Sequence, residues 1–165
     1  MNLECEINSA NAKVTVIPAT ESYTESIFNI TKEAFNQYVK DTKIPGTVDA
    51  LTETFEDIAR DIKQKNVFIA LVDKIPAGSI RLTVGPDNTA YISRFGVLSE
   101  YQSLGIGRAL IKESIEFLKT RNVHSVSLHT AANSGLVGFY SQFGFIIEDV
   151  SHEKGYPRAL MILKF

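Results

Sequence analysis

The sequence predicts an α/β fold in which helices alternate with the strands of one mixed sheet. Segments of alternating β-branched residues and segments with apolar residues at helical spacing follow one another along the chain. Glycine, proline and asparagine mark the turns between these segments. The 165 residues, of which 44% are hydrophobic, contain no repeat and no linker-like stretch. We therefore expect a single domain over residues 1–165 with the order β-α-α-β-β-β-α-β-α-β-β.

The first half of the chain begins with a strand, because AKVTVIPA alternates and is rich in β-branched residues. A helix follows, in which Ser22 and Glu25 have the spacing of a capping box, and Pro45 and Gly46 break the helical pattern. Three strand-like runs after the second helical pattern predict a β-meander. These elements are a strand at 12–19, helices at 20–38 and 51–65, and strands at 67–73, 76–84 and 90–97.

The second half predicts two helices, each followed by strands. Apolar residues recur at helical spacing after the stretch YQSLGIGRAL, and Val126 and Leu128 alternate with polar residues further on. Gly144 is a typical residue for the end of a short helix. These elements are a helix at 105–121, a strand at 123–130, a helix at 134–142, and strands at 145–150 and 158–165.

Composition and charge argue against several classes of protein. The 17 basic and 19 acidic residues leave a net charge of -2 without a basic cluster, so nucleic acid is not an expected partner. Cys5 is the single cysteine and has no neighbours that suggest a metal ligand or a nucleophile, so we expect a surface thiol. The acidic start and the lack of a long apolar run predict a cytoplasmic protein without a membrane partner.

The stretch YQSLGIGRAL at 101–110 joins a strand to a helix and contains two glycines in a G-x-G pattern. A phosphate site made by backbone needs N–H groups that converge at a helix start and no Cβ that blocks the approach. A glycine turn without a ligand satisfies the same pattern. A dinucleotide site would need a third glycine where Leu110 stands, and a P-loop would need G-K-(S/T).

Two segments of the chain together resemble the GNAT superfamily of N-acetyltransferases. FGVLSEYQSLGIGRAL at 95–110 resembles that family's acyl-CoA pyrophosphate motif, (R/Q)-x-x-G-x-(G/A), filled here by Gln102, Gly105 and Gly107. NSGLVGFYSQFGF at 133–145 resembles its N-x-x-(A/L)-x-x-(F/L)-Y-x-x-x-G-F segment. The resemblance implies the GNAT fold, a mixed sheet of about seven strands with helices on both faces.

The resemblance also implies which residues bind acetyl-CoA. The backbone of the glycine loop is expected to hold the pyrophosphate, and the strand before it is expected to separate from the next strand so that the pantetheine arm lies along its edge. Arg108 adds a charge for a phosphate or is a solvated arginine. The implied cofactor-binding residues are Phe95, Val97, Leu98, Gln102, Ser103, Leu104, Gly105, Ile106, Gly107, Arg108, Asn133 and Tyr140.

Tyr140 matches the tyrosine with which the family commonly protonates the departing thiolate of CoA, although a core aromatic residue is the alternative. Asn133 matches a CoA-contacting asparagine and would also suit a helix N-cap. The general base stays open. Glu100, His129 and Tyr91 are candidates, and deprotonation through water is the default.

The hairpin around GPDN suggests how an acceptor is held. If Val84 pairs with Tyr91, Arg81 stands opposite Arg94, and two like charges in that position require an anion between them. One hypothesis is that Arg81 and Arg94 bind an anionic group of the acceptor, such as an amino-acid-like carboxylate. The alternative is that a shift of one residue places them on opposite faces, where each is solvated or paired with an acid. Tyr38 is a further candidate for the acceptor pocket, and Tyr156 and Arg158 are available near the last strand.

The function that these observations predict is transfer of the acetyl group of acetyl-CoA to a primary amine of a small molecule or peptide. The transfer is expected to be direct, in a ternary complex, and to need no metal. One alternative is an acyl-CoA sensor without turnover, and another is a nucleotide-binding domain. The resemblance leaves a homodimer open, because members of the family often dimerise.

Overall fold

The computed structural model describes residues 6–9 and 12–165, so Cys5 lies outside the described residues. The strands are β1 (Glu6–Ser9), β2 (Ala12–Pro18), β3 (Asn66–Val72), β4 (Ile75–Val84), β5 (Thr89–Val97), β6 (Ser125–Ala131), β7 (Ile146–Ser151) and β8 (Arg158–Lys164). The helices are α1 (Thr24–Thr42), α2 (Phe55–Gln64), α3 (Ile106–Thr120) and α4 (Leu136–Ser141). The predicted order is confirmed, and β1 adds one strand to the predicted seven.

The starts of the first two helices differ from the prediction. Ser22 does not form a capping box with Glu25. Its hydroxyl lies 2.7 Å from that of Thr20, and α1 begins only at Thr24, after a 3-10 turn. The capping box belongs to α2, where Thr54 and Asp57 exchange hydrogen bonds between side chain and backbone. Helical spacing alone did not separate the 3-10 turn at 49–52 from this helix.

The sheet has the order β1-β2-β3-β4-β5-β6-β8-β7, and one of its neighbouring pairs, β5 with β6, is parallel. Helix α3 is the connection that a parallel pair requires. Only Thr89, Ala90 and Tyr91 of β5 pair with residues of β6, and the two strands then separate. The separation implied by the resemblance is therefore present, and it opens a cleft in the sheet.

Two apolar cores hold the helices to the two faces of the sheet. Strand β3 supplies both, since its alternate residues are buried on opposite sides, which explains its continuous apolar run. Phe68 lies in the core that contains α3, where it contacts Phe117 edge to face. Ile69 lies in the core that contains Ile27 of α1 and Ile58 of α2.

The β4–β5 hairpin differs by one residue from the predicted register at its turn, and a bulge in β5 restores the predicted offset at Gly96 and Val97. Val84 pairs with Ala90 and Arg81 with Ser93, so the expected pairing of Val84 with Tyr91 is wrong. Arg94 has a φ of 51°, and the register shifts beside it. An extra residue at a bulge reverses the alternation of side chains along a strand. For this reason Ala90 and Ile92 before the bulge, and Phe95 and Val97 after it, all face α3.

Within the part of the chain that the structure describes, no helix combines the length and the apolar character that a membrane span requires.

Candidate functional site

A cleft of about 890 Å³ lies where β5 and β6 separate. It runs from the start of α3 between the two strands to α1 and the segment before β8. Most of the predicted site residues line this one cleft. They are Tyr38, Arg94, Phe95, Val97, Gln102, Gly105, Gly107, Arg108, Asn133 and Tyr140.

The glycine turn presents backbone N–H groups to the cleft. Gly105 precedes α3 with a φ of 75°, a left-handed conformation that glycine adopts without strain. The N–H of Ala109 donates to the carbonyl of Gly105 at 3.0 Å. The N–H groups of Ile106, Gly107 and Arg108 come before this bond in the helix, at the end that attracts anions.

Gly107 is required for a different reason. A Cβ at this position would lie 3.2 Å from Cζ of Phe95 and 3.6 Å from Cζ of Phe139. These rings are stacked, with centroids 6.0 Å apart. Gly107 therefore lets the start of α3 approach the aromatic wall of the cleft, whereas a Cβ at Gly105 would meet no atom within 4 Å.

Four of the predicted cofactor-binding residues have side chains outside the cleft. Ile106 is fully buried in the core, and Leu104 packs against that core. Ile106 and Leu104 therefore offer only their backbone, whereas Ser103 is exposed in the 3-10 turn before α3 and does not line the cleft. Leu98 is a correction. Its N–H donates to the carbonyl of Ala77 at 2.8 Å, and its side chain packs in the core beneath α1 and α2.

Arg108 is held at the rim of the cleft by α4 and the residues after it. Its Nη2 donates to Oε1 of Gln142 at 2.8 Å, and its guanidinium lies 5.2 Å from the ring centroid of Phe143. The arginine is thus fixed beside the N–H groups at the start of α3. This arrangement places a positive charge where an anion would bind.

The separated strand edges are partly capped by side chains. The hydroxyl of Tyr38 accepts a hydrogen bond of 2.6 Å from the N–H of Ala131, at the end of β6. The side chain of Asn133 donates to the carbonyl of Thr42 at 3.2 Å. Asn133 is not the N-cap that its residue type allowed, because Ser134 accepts from the N–H of Leu136 at 3.0 Å instead.

Tyr140 lies at the centre of an aromatic cluster and also lines the cleft. Only 4% of the residue is exposed. Burial raises the pKa of its hydroxyl, and the nearby Tyr38 and Tyr91 raise it further. Tyr140 is thus a core aromatic residue that also lines the cleft, and its hydroxyl is protonated at neutral pH. Its role as a proton donor to the thiolate stays a prediction.

Tyr91 and His129 form a hydrogen-bonded pair across the gap between β5 and β6. The Tyr91 hydroxyl oxygen lies 2.6 Å from Nδ1 of His129. Burial lowers the pKa of His129 below its ordinary value of 6.5, and the charge of Arg158 lowers it further. A neutral imidazole bonded to a tyrosine is able to accept a proton. Glu100, the third candidate base, is exposed on the 3-10 turn and lies outside the cleft.

The two arginines of the predicted anion clamp share an anion from the protein itself. Arg81 is fully buried, and its Nη1 and Nη2 donate to the Glu53 carboxylate at 2.6 and 2.9 Å. Nη1 also donates to Asp61 at 2.8 Å. Nε of Arg94 lies 3.2 Å from the same Glu53 carboxylate without hydrogen-bond alignment. Arg81 is therefore a structural residue outside the cleft, and the expectation that it binds an acceptor is wrong.

The end of the cleft opposite the start of α3 lies beyond Tyr91 and His129. Tyr156 and Arg158 line it, together with Asp49 from the 3-10 turn that precedes α2. Burial raises the pKa of Tyr156, and Arg158 and Asp49 act on that pKa in opposite directions. Across residues 6–9 and 12–165, His, Cys, Asp and Glu side chains form no group of three that would hold a metal ion.

Known proteins are similar to this chain in sequence or in fold. The model of the family described as "Acetyltransferase (GNAT) family" matches residues 25–145. The Drosophila melanogaster protein "Probable N-acetyltransferase san" is 35% identical over 97 residues, which are 54% of this chain and 51% of that protein. The chain thus spans about half the length of this curated relative.

Two solved structures show the same fold at low sequence identity. The PaiA N-acetyltransferase of Thermoplasma acidophilum, in complex with coenzyme A, has a TM-score of 0.80 at 18% identity and covers 92% of this chain and 99% of its own. The ribosomal-protein-S18-alanine N-acetyltransferase of Escherichia coli has a TM-score of 0.73 at 19% identity and covers 92% and 93%.

Proposed function

The chain belongs to the GNAT acetyltransferase family, and from this premise we propose that it transfers the acetyl group of acetyl-CoA to a primary amine. The acceptor is a small molecule or a peptide, and the amine attacks directly within a ternary complex. The observation that carries the proposal is the continuous cleft. It joins the N–H groups at the start of α3 to the Tyr91–His129 pair through the opening between β5 and β6.

The residues at one end of the cleft fit the cosubstrate. The positive end of α3 and the fixed guanidinium of Arg108 suit a pyrophosphate. The edge of β5 beyond Tyr91 has no strand beside it, so an extended pantetheine arm is able to hydrogen-bond there as an added strand. Acetyl-CoA supplies an activated thioester carbon at the end of this arm.

Tyr91, His129 and Tyr140 supply the proton transfers. The acceptor ammonium gives a proton to the Tyr91 oxygen as Tyr91 passes its own proton to Nδ1 of His129, a relay across the 2.6 Å hydrogen bond. The amine nitrogen then bonds to the thioester carbon, the carbon–sulfur bond breaks, and the proton that the new amide nitrogen loses restores the Tyr140 hydroxyl after that hydroxyl has given its own proton to the sulfur. The Tyr140 hydroxyl, which burial keeps protonated, protonates the departing thiolate.

The test measures CoA release from acetyl-CoA with a panel of primary amines. We expect release that depends on the amine, and a kcat lowered about 100-fold in Tyr140→Phe, since general acid catalysis contributes roughly 100-fold or more. Tyr101→Phe removes a tyrosine hydroxyl outside the cleft and serves as the matched control. If acetyl-CoA binds but no amine promotes release, the acyl-CoA sensor is the correct function.

The proposal extends to the setting of the enzyme. We propose one domain of this family over residues 1–165, in the cytoplasm, where a chain with a single cysteine needs no disulfide. Acetyl-CoA and the amine are its proposed partners, with no nucleic acid, membrane or metal in the reaction. Light scattering of the purified chain would decide between the monomer and the homodimer that the resemblance leaves open.

A further inference from the structure

Arg158 lies beside the proposed proton relay. It begins β8 and pairs with Ala131 of β6. Paired residues of neighbouring strands point to the same face of a sheet, and so do residues two apart in one strand. Arg158 therefore shares a face with His129, and both line the cleft. Its charge acts on the pKa of Tyr91, His129 and Tyr156, which places the guanidinium among these three side chains.

Within the described residues, no carboxylate lies within ion-pair distance of Arg158. The contrast with Arg81 is direct, because Arg81 forms ion pairs with both Glu53 and Asp61. A half-buried guanidinium has five N–H donors and prefers the planar, bidentate geometry of a carboxylate. Arg158 is thus a cation without a carboxylate partner among the described residues, and its hydrogen-bonding neighbours there are the neutral hydroxyls of Tyr91 and Tyr156.

The other charges at this end of the cleft come from several elements. The charge of Arg94 on β5 also lowers the pKa of Tyr91, although Nε of Arg94 lies 3.2 Å from the Glu53 carboxylate. Asp41 of α1, Asp49 and Lys154 line the same end. Because acidic groups balance part of the positive charge, an anion here must be selected by directed hydrogen bonds rather than by net charge.

We propose that the acceptor amine carries a carboxylate close to its nitrogen, as an amino acid does, and that Arg158 binds this carboxylate. The inference rests on the proposed function and specifies its acceptor. Arg158 holds the carboxylate while the neighbouring amine faces the Tyr91–His129 pair. Arg94 on β5 assists in binding the carboxylate. The pair Arg158 and Arg94 thus replaces the clamp of Arg81 and Arg94 that the sequence suggested.

An arginine that only tuned the relay would behave differently. The charge of Arg158 favours the neutral imidazole, so its removal would affect every amine in the same way. An arginine that binds a carboxylate affects only amines that carry one. Matched pairs of amino acids and their carboxamides therefore separate the two roles.

The first experiment compares kcat/KM for alanine, leucine and phenylalanine with kcat/KM for their carboxamides, each referred to the ammonium form of the amine. We expect Arg158→Gln to lower the values for the amino acids roughly ten- to 100-fold, as loss of a charged hydrogen bond does, and those of the carboxamides less than about threefold. Arg158→Lys should restore part of the loss. Lys63→Gln removes an exposed charge outside the cleft and is the control.

The second experiment measures binding without turnover, as the shift of the thermal unfolding midpoint by leucine or leucinamide in the presence of CoA. We expect leucine to stabilise the wild type more than leucinamide does, and this difference to vanish in Arg158→Gln. Equal losses for both members of a pair, or no shift that depends on the carboxylate, would overturn the inference. Failure of all amines to release CoA while leucine still binds through Arg158 would instead overturn the proposed function.

Discussion

A Cβ added at Gly105 and a Cβ added at Gly107 would have different surroundings. At Gly105 the space is open, and the positive φ of 75° is what glycine satisfies. At Gly107 the φ is ordinary, and a Cβ would press on Phe95 at 3.2 Å. One glycine thus sets the turn into α3, while the other sets the distance between α3 and the aromatic wall. The G-x-G pattern combines a conformational and a packing requirement.

Residue chemistry also predicts how activity depends on pH. Because the pKa of His129 is lowered, the imidazole is neutral at pH 7 and gains a proton only below pH 6.5. We expect kcat/KM, referred to the ammonium form of the acceptor, to be constant near neutrality and to fall as the pH drops through this lowered pKa. His129→Gln should lower the plateau roughly 100-fold and abolish the acid limb.

Tyr91→Phe is the matched variant for this experiment. It breaks the 2.6 Å hydrogen bond and keeps the ring, so it should lower the plateau as His129→Gln does. An unchanged acid limb in His129→Gln would assign the limb to another group and contradict the relay.

At the scale of elements, the β5 bulge and the loop before α2 are held by the same carboxylate. Glu53 precedes α2, accepts both Nη groups of Arg81 on β4, and lies 3.2 Å from Nε of Arg94 at the bulge. The sequence argument that opposed arginines need an anion was physically sound. The acceptor clamp is wrong for Arg81, and the alternative of a shifted register with an acid partner is what the structure shows; hairpin spacing could not identify Glu53, which lies 28 positions away.

The stability of this connection can be measured. Glu53→Ala leaves Arg81 buried with Asp61 as its remaining ion-pair partner, and removal of one partner of a buried pair costs about 3–5 kcal/mol of the free energy of unfolding. The comparison is Arg60→Ala, which breaks an exposed pair with Asp57 on the same helix and should cost at most about 1 kcal/mol. Denaturant unfolding measures both, and equal losses would show that the buried pair does not stabilise the fold.

At the scale of the whole molecule, the separation of β5 from β6 within the sheet forms the candidate binding site. Helix α3 packs on one face and α1 and α2 on the other, and the core that contains α3 includes Ala90 of β5 and Val126 of β6. The ladder ends at Tyr91 and Ser127, and the cleft passes between the strands rather than over one face. In the proposed reaction, one substrate therefore enters from each side of the sheet.

Binding of acetyl-CoA in this gap should stabilise the whole fold. At a concentration 100 times its Kd, a ligand raises the free energy of unfolding by about 2.7 kcal/mol, which corresponds to roughly 5 to 10 °C for a chain of this size. We expect this shift with acetyl-CoA in the wild type and equally in Tyr140→Phe, whose proposed role begins after binding. A shift with ATP or NAD in place of acetyl-CoA would favour the nucleotide-binding alternative.

The sequence by itself determined the order of elements, the glycine turn and the resemblance through Gln102, Asn133 and Tyr140, because periodicity and motif spacing are local properties. Only the tertiary structure decided the register of β4 on β5, the burial of Arg81 by Glu53, and the meeting of Tyr91 with His129. These depend on which distant segments pack together, and one added residue in a strand reverses the faces of all that follow. The cleft is likewise tertiary, since it lies where the pairing of β5 with β6 ends at Tyr91 and Ser127, and that pairing joins segments distant in the sequence.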